Sequence, residues 1–353
     1  MASQQPTPEH DRDTHRIHSI GVIGAGSWGT ALARLLAVKG YDVRMWVYEP
    51  DLVTTINTTH ENTLYLPGFT LPDNLIATHD LREALTDRDM ILQVVPSHVV
   101  REVMTQAAPH IPVGVPIVSA SKGIENESLM LVNEILEEVL PIRCHPYLAY
   151  LSGPSFAKEV AADKATAVVI ASYSKQLAQK LQYAFHTPTF RTYTSHDVIG
   201  IEVGGALKNV IAIAAGAAAG LGLGHNAMAG VITRGLNELT RLAVRKGANA
   251  LTLSGLAGMG DLVLTCTGNL SRNRTVGYKL GQGLTLEQIL SEMNMVAEGV
   301  KTSKSVHDLA HQLGVEMPIS EQVYQVLYAD KSAKQAVHDL LARDLKAEMS
   351  LFS

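Results

Sequence analysis

The sequence predicts an α/β N-terminal part built on a doubly wound, mainly parallel sheet, followed by an all-α C-terminal part. Three observations predict it. Short apolar runs alternate with helical patterns along the first half of the chain. After about Asp197 helical-length runs of Ala, Leu and Val take over and β-branched runs nearly vanish. A glycine loop joins the first apolar run to the first helical one. Alternation of this kind builds parallel sheets, because a parallel strand pair needs a crossover and a helix supplies it.

Taken in order, strands are expected at 19–23, 42–47, 90–95, 116–119, 148–152, 166–170 and 190–193, with helices at 30–38, 81–85, 98–107 and 129–139 between them. Helices are expected at 198–216, 228–245, 285–293, 302–313 and 320–327 beyond them. The expected division is a flexible tail at 1–16, a dinucleotide-binding region at 17–196 and a helical substrate-binding and catalytic region at 197–353. The tail is polar and lacks the apolar core of a signal peptide.

The glycine loop reads Gly24-Ala25-Gly26-Ser27-Trp28-Gly29. Gly24 permits a tight turn, Gly26 lets a pyrophosphate approach the backbone, and Gly29 lets the following helix pack closely on the strand. The helix N-terminus then offers unpaired N–H groups and partial positive charge to phosphates. A strand-like run before the loop and an Ala/Leu helix after it supply the context that makes this a Rossmann-type fingerprint, and the expected cofactor is NAD or NADP.

With 353 residues, 46% of them hydrophobic, the chain is long enough for two domains and a large core. A formal net charge of -5 argues against a nucleic-acid binder. Two cysteines far apart, Cys144 and Cys266, fit a reducing cytoplasm and no zinc site. The least charged stretch, 209–233, reads as a buried helix and a Gly-rich turn rather than an integral membrane segment.

In open α/β sheets ligands bind beyond the carboxyl ends of the strands, and there the unusual residues gather. The expected strand ends carry Tyr48-Glu49-Pro50, Pro96-Ser97-His98, Ser121-Lys122-Gly123 and Ser152-Gly153-Pro154-Ser155. Glu49 stands about twenty residues after Gly29, where an acid can bind ribose hydroxyls, though an ordinary loop acid fits equally. Tyr48 can stack on an adenine or simply cap the sheet. Lys122 is expected to be functional because of its place at the sheet edge. Ser155 reads either as a helix N-cap or as a hydroxyl offered to a ligand.

The C-terminal part opens with Gly204-Gly205-Ala206-Leu207-Lys208-Asn209 in an apolar helix. Two helical glycines cost about 2 kcal/mol relative to alanines, so a close backbone approach is expected there. A lysine in that setting can be desolvated enough to titrate near neutral pH; the ordinary alternative is a snorkelling side chain. Downstream, Gly260-Asp261 and Ser271-Arg272-Asn273-Arg274 gather an acid and a dense set of donors suited to phosphate oxygens. The fourteen histidines include no His-Glu-x-x-His pair and no Cys/His ligand spacing, and there is neither a Gly-x-Ser-x-Gly elbow nor a Walker lysine. No metal is expected.

These segments, with Val95-Pro96-Ser97-His98, Lys122-Gly123, Gly153-Pro154-Ser155-Phe156-Ala157, Asp261-Leu262-Val263-Leu264-Thr265-Cys266-Thr267 and Val296-Ala297-Glu298-Gly299, stand in an order and spacing that closely resembles bacterial NAD(P)-dependent sn-glycerol-3-phosphate dehydrogenases. The resemblance implies interconversion of dihydroxyacetone phosphate and sn-glycerol 3-phosphate, which supplies phospholipid synthesis. By the family pattern Lys208 is the proton acceptor, with Lys122 and Asp261 catalytic beside it. Lys122, Gly153, Ser155, Lys208, Asp261, Ser271, Arg272 and Asn273 match substrate positions. Ser27, Trp28, Lys122, Ala157, Arg272, Val296 and Glu298 match cofactor positions, joining Gly24, Gly26, Gly29 and Tyr48.

Tyr48 stands where many relatives carry His or Arg, and Gly268 and Leu270 replace a common Asp and Gln. Lys122 and exclusion of water should lower the Lys208 pKa, while Asp261 should raise it. A homodimer in the cytoplasm is the expected state, without nucleic-acid partners. Two other readings stay open: a two-domain hydroxy acid dehydrogenase, and a protein that senses NAD(P)H without chemistry.

Overall fold

The computed structural model describes residues 17–293, 297–345 and 347–348. The expected tail at 1–16 and Val296 lie outside them. Eight strands form one sheet: β1 (Ser19–Ile23), β2 (Asp42–Trp46), β3 (Leu75–Thr78), β4 (Met90–Gln93), β5 (Ile117–Ser119), β6 (Leu148–Ser152), β7 (Thr166–Ala171) and β8 (Phe190–Ser195). Around it lie α1 (Ser27–Val38), α2 (Pro50–Thr59), α3 (Leu81–Leu85), α4 (Val100–Ala107), α5 (Val132–Val139), α6 (Ala157–Ala161) and α7 (Lys175–Phe185). The remaining chain is helical: α8 (Val198–Gly220), α9 (Gly224–Arg245), α10 (Asp261–Thr267), α11 (Arg272–Gly281), α12 (Leu286–Ser291), α13 (Glu298–Leu313), α14 (Pro318–Tyr328) and α15 (Ala333–Leu341).

The strand order is β3-β2-β1-β4-β5-β6-β7-β8, with every pair parallel except β6–β7. The chain from β6 to β7 carries the short α6 and returns antiparallel, whereas the chain from β7 to β8 carries the eleven-residue α7 and returns parallel. β1, β2, β4, β5 and β6 all end on one edge, so the loops after them meet.

Apolar side chains cover both faces of the sheet, with Leu32, Leu36 and Phe185 in the cluster on one side and Val100, Met104 and Ile135 in that on the other. α8 is the axis of the helical part. It is long and apolar enough to cross a membrane, but 89% of its apolar window is buried inside the protein, so it is a core helix. α11 packs on it backbone to backbone. A Cβ at Gly216 would lie 2.0 Å from the Arg274 carbonyl oxygen, and one at Gly277 would lie 1.9 Å from that of Ile213.

The structure adds β3, a four-residue strand pinned by Asn57, whose amide both donates to the Ala77 carbonyl and accepts from the Ala77 N–H. The expected helix at 129–139 begins only at Val132, because Leu129 adopts a left-handed conformation (φ 58°) and Leu131 bridges to Ile124.

Candidate active site

The glycine loop leaves β1 with Gly24 at φ +113°, a region that L side chains rarely adopt, and a Cβ there would sit 2.6 Å from the Val94 carbonyl oxygen. A Cβ on Gly29 would meet the Gly24 carbonyl oxygen at 2.1 Å, so the helix lies directly on the turn. Gly26 differs: among the described residues nothing lies within 4 Å of a Cβ built on it, so the space beside it is open to a ligand. Gly26 is also the N-cap of α1, where no side chain caps the helix and no acid occupies the first turn. The positive end of the helix dipole is therefore not neutralised by a capping side chain or a first-turn acid among the described residues. The residues present fit a dinucleotide pyrophosphate.

The loop is braced from behind by Asn62, fully buried, whose amide donates to the Ala25 carbonyl and to the Thr30 hydroxyl, both at 2.8 Å. Ser27 donates to the Tyr65 carbonyl at 2.6 Å. Trp28 and Ala157 both pack against a small cluster of Ala31, Leu66 and Ala161, and the Trp28 Nε1–H is buried without a partner among the described residues. Tyr48, 72% exposed, sits edge-on to Trp46. Glu49 accepts a 2.6 Å hydrogen bond from the Tyr65 hydroxyl. Burial, with Glu49 beside it, pushes the Tyr65 phenol up to about 12.

Two strands away, Gln93 closes a buried polar ladder, accepting from Ser119 at 2.7 Å and donating to Ser121 at 2.8 Å. The ladder holds the chain leaving β5, which carries Lys122. Lys122 Nζ donates to the Gly153 carbonyl at 3.2 Å and to Asp261 Oδ2 at 2.7 Å. Ser155 also donates to the Gly153 carbonyl, at 3.0 Å. Ser155 is not the N-cap that the sequence allowed: Phe156 holds that position at α6, without a side-chain cap.

α8 brings in Lys208. A Cβ on Gly204 would fall 2.5 Å from the Ala257 carbonyl oxygen, and one on Gly205 would fall 2.8 Å from the Ser152 hydroxyl and 3.4 Å from a Lys122 methylene. The two glycines thus admit the turn before α10 on one side and the β5 and β6 strand ends on the other. Lys208 Nζ donates to Asp261 Oδ1 at 2.5 Å, so one carboxylate at the start of α10 is shared by two ammonium groups. The Thr265 hydroxyl donates to the Asp261 carbonyl at 2.6 Å.

All three charges are buried, with relative side-chain exposures of 13% for Lys122, 10% for Lys208 and 1% for Asp261. Burial lowers the Lys208 pKa most; Asp261 opposes that and Lys122 adds to it, leaving the amine at about 8. Burial works against ionisation of Asp261, but the two lysines outweigh it and hold the carboxyl below its usual range. Glu202, within reach of the Lys122 charge, is also buried, accepts the Asn133 N–H at 3.2 Å and is raised by desolvation to about 8.

The third wall comes from α11 and α13. Ser271 caps α11 by accepting the Arg274 N–H at 3.2 Å, and Asn273 accepts the Gly299 N–H at 2.9 Å, tying α11 to the start of α13. Arg272 is exposed and makes no ion pair among the described residues. Its charge is felt by Glu298, whose carboxyl burial raises and which the Arg272, Lys208 and Lys122 charges and the Ser97 N–H stabilise.

The structure therefore brings together Lys122, Gly153, Ser155, Lys208 and Asp261, with Ser271, Arg272, Asn273 and Glu298 on the adjoining wall and Gly24, Gly26, Ser27, Trp28, Gly29 and Ala157 along the loop. Tyr48 stands apart at the end of β2. The sequence reading missed Asn62, Gln93, Glu202 and Thr265. Gln93 and Glu202 each interrupt an apolar run, a signal that was available; Asn62 and Thr265 have none.

The family model for the N-terminus of NAD-dependent glycerol-3-phosphate dehydrogenase matches residues 19–178, and that for its C-terminus matches 197–338. The glycerol-3-phosphate dehydrogenase [NAD(P)+] of Citrifermentans bemidjiense is 58% identical over 329 residues, covering 93% of this chain and 98% of its own. That of Myxococcus xanthus is 57% identical with the same coverage. The crystal structure of glycerol-3-phosphate dehydrogenase from Coxiella burnetii superposes with a TM-score of 0.88 at 42% identity, covering 93% of this chain and 99% of that one.

Proposed function

The chain belongs to the NAD-dependent glycerol-3-phosphate dehydrogenase family, and from that premise we propose how its own residues interconvert dihydroxyacetone phosphate and sn-glycerol 3-phosphate. The observation that carries the reading is the buried Lys122–Asp261–Lys208 cluster at the sheet edge. Gly24, Gly26 and Gly29 shape the pyrophosphate seat at α1, with Ser27, Trp28, Ala157 and Glu298 beside it. When bound, the nicotinamide supplies the hydride for the ketone carbon and takes it back in reverse.

Lys208 carries the proton. As an ammonium it donates to the ketone oxygen while negative charge grows there; as a neutral amine it accepts the proton of the alcohol. Asp261 orients the amine and keeps enough of it protonated for reduction. Lys122 adds a second positive charge near the developing alkoxide. Arg272, helped by Ser271 and Asn273, grips the phosphate and uses that remote binding energy to place the reacting carbon.

The domain division at 196/197, a homodimer and a cytoplasmic setting remain part of this proposal. They are supported by the separate family models for the two parts, by the exposed first turns of α9, and by two buried cysteines without a disulfide.

The direct assay follows NADH and NADPH oxidation with dihydroxyacetone phosphate, dihydroxyacetone and pyruvate. Turnover is expected with the phosphorylated triose. Turnover with pyruvate alone would move the reading to a hydroxy acid dehydrogenase, and cofactor binding without any turnover would make the protein a sensor.

Two further outcomes are expected. Arg272→Ala should raise KM for dihydroxyacetone phosphate by about 10- to 100-fold, the worth of a charge-assisted contact. An unchanged KM and kcat would remove Arg272 from the phosphate. Because Lys208 titrates at about 8, kcat/KM for alcohol oxidation should rise as pH climbs through 8, and for ketone reduction it should fall over the same range. A profile flat between pH 7 and 9 in both directions, with chemistry rate-limiting, would contradict the assignment.

A further inference from the structure

A His-x-x-x-His pair lies on α13. His307 and His311 are one helical turn apart and so share a face. Against that face stands Glu321 of α14. His307 Nδ1 is 2.7 Å from Glu321 Oε2, His311 Nε2 is 3.7 Å from the same oxygen, and the three ligand atoms all lie within 4.8 Å of one another. We propose that His307, His311 and Glu321 form a binding site for a divalent transition-metal ion of the zinc class, which clamps α13 to α14.

Tetrahedral zinc with bonds of about 2.0–2.2 Å sets its ligands roughly 3.3–3.5 Å apart, within small side-chain adjustments of the distances seen. Two imidazoles and one carboxylate are a donor set suited to zinc, and imidazole also suits nickel and copper.

The surroundings orient these donors as the outer groups of a metal site do. The His307 ring stacks on Tyr324 at 3.7 Å with 6° between planes, which fixes its direction. The second oxygen of Glu321 accepts from the Gln325 amide at 2.8 Å, leaving the first to face the histidines. His311 is exposed and Glu321 is partly so, and the three border a surface pocket that also includes Met317 and Arg343. An ion has an entry path there and a fourth position open to water. Arg343, which also borders the pocket, is paired with Glu316.

The site is separate from the catalytic one. His307 stands nine residues along α13 from Glu298, about 14 Å at helical rise. Its occupant would therefore tighten α13 without touching substrate.

The test is zinc titration into the full-length, chelator-treated protein by calorimetry and by thermal melting, with His311→Ala and Glu321→Gln in parallel. His311 is exposed, so its variant is expected to fold. The wild type should show one saturable site and a higher Tm with zinc, since binding to the native state stabilises it. Each variant should bind at least about 10-fold more weakly. Gln325→Ala should weaken binding while keeping all three ligands. Cobalt(II) should give the visible bands of a four-coordinate site in the wild type, and those bands should be lost in His311→Ala. Absence of saturable binding, or zinc affinity equal in the wild type and both ligand variants, would overturn the proposal.

Discussion

Lys208→Ala is expected to lower kcat by about 10²–10⁴-fold, the usual worth of a positioned general acid–base, while NADH affinity stays unchanged. The amine sits at 10% exposure with its Nζ 2.5 Å from Asp261, so it is immobile, desolvated and close to its own pKa at working pH. Water admitted into the gap cannot reproduce those three conditions together. Lys122 cannot replace it, because its Nζ is already committed to Asp261 and to the Gly153 carbonyl.

The alanine also opens a cavity beside Gly204. Lys208→Met, which keeps most of the volume, guards against a trivial loss of fold and should lose activity equally. Near-normal turnover in either variant would show that the proton travels by another group.

Asp261→Asn should cost both stability and rate. Removing one partner from a buried ionic cluster leaves the others uncompensated and typically costs about 3–5 kcal/mol. Here the loss should fall at the lower end, because Lys208 can shed its proton once the carboxylate that holds its pKa up has gone. That escape is itself measurable. The pH midpoint for alcohol oxidation should move below 8, and ketone reduction at neutral pH should fall more than oxidation does. Urea denaturation reports the stability and paired pH profiles report the proton. A variant as stable as wild type with an unmoved midpoint would mean that Asp261 governs neither lysine.

Much of this arrangement was legible in the sequence, and the divide follows the range of the interactions. The glycine loop could be read because turn, seat and packing fall within six residues and each role excludes a side chain for a separate reason. The strands carried by short apolar runs fell into place, but the edge strand β3 did not, since it is pinned by Asn57 of a preceding helix rather than marked by a local pattern. The antiparallel β6–β7 pair was not legible, since the path of the connecting chain sets strand direction and the apolar pattern does not. In the site, Lys122, Lys208 and Asp261 were each visible as unusual residues. Their meeting was not: the two ion pairs join positions 139 and 53 residues apart. The glycines at 204 and 205 announced a close approach without saying to what. Tyr48 lies exposed beyond the end of β2. Val296 lies outside the described residues.

The glycine contact between α8 and α11 has a bearing on selectivity. With carbonyl oxygens about 2 Å from where a methyl group would sit, no compressible layer separates the helix bearing the amine from the turn bearing Ser271, Arg272 and Asn273. On the roles proposed for Lys208 and Arg272, their spacing works as a fixed gauge. A compound whose anionic end lies one bond nearer to its carbonyl, or one bond farther away, meets one group at the expense of the other. Chain length is thus measured by main chain against main chain, which no single side-chain replacement elsewhere in the cleft should relax.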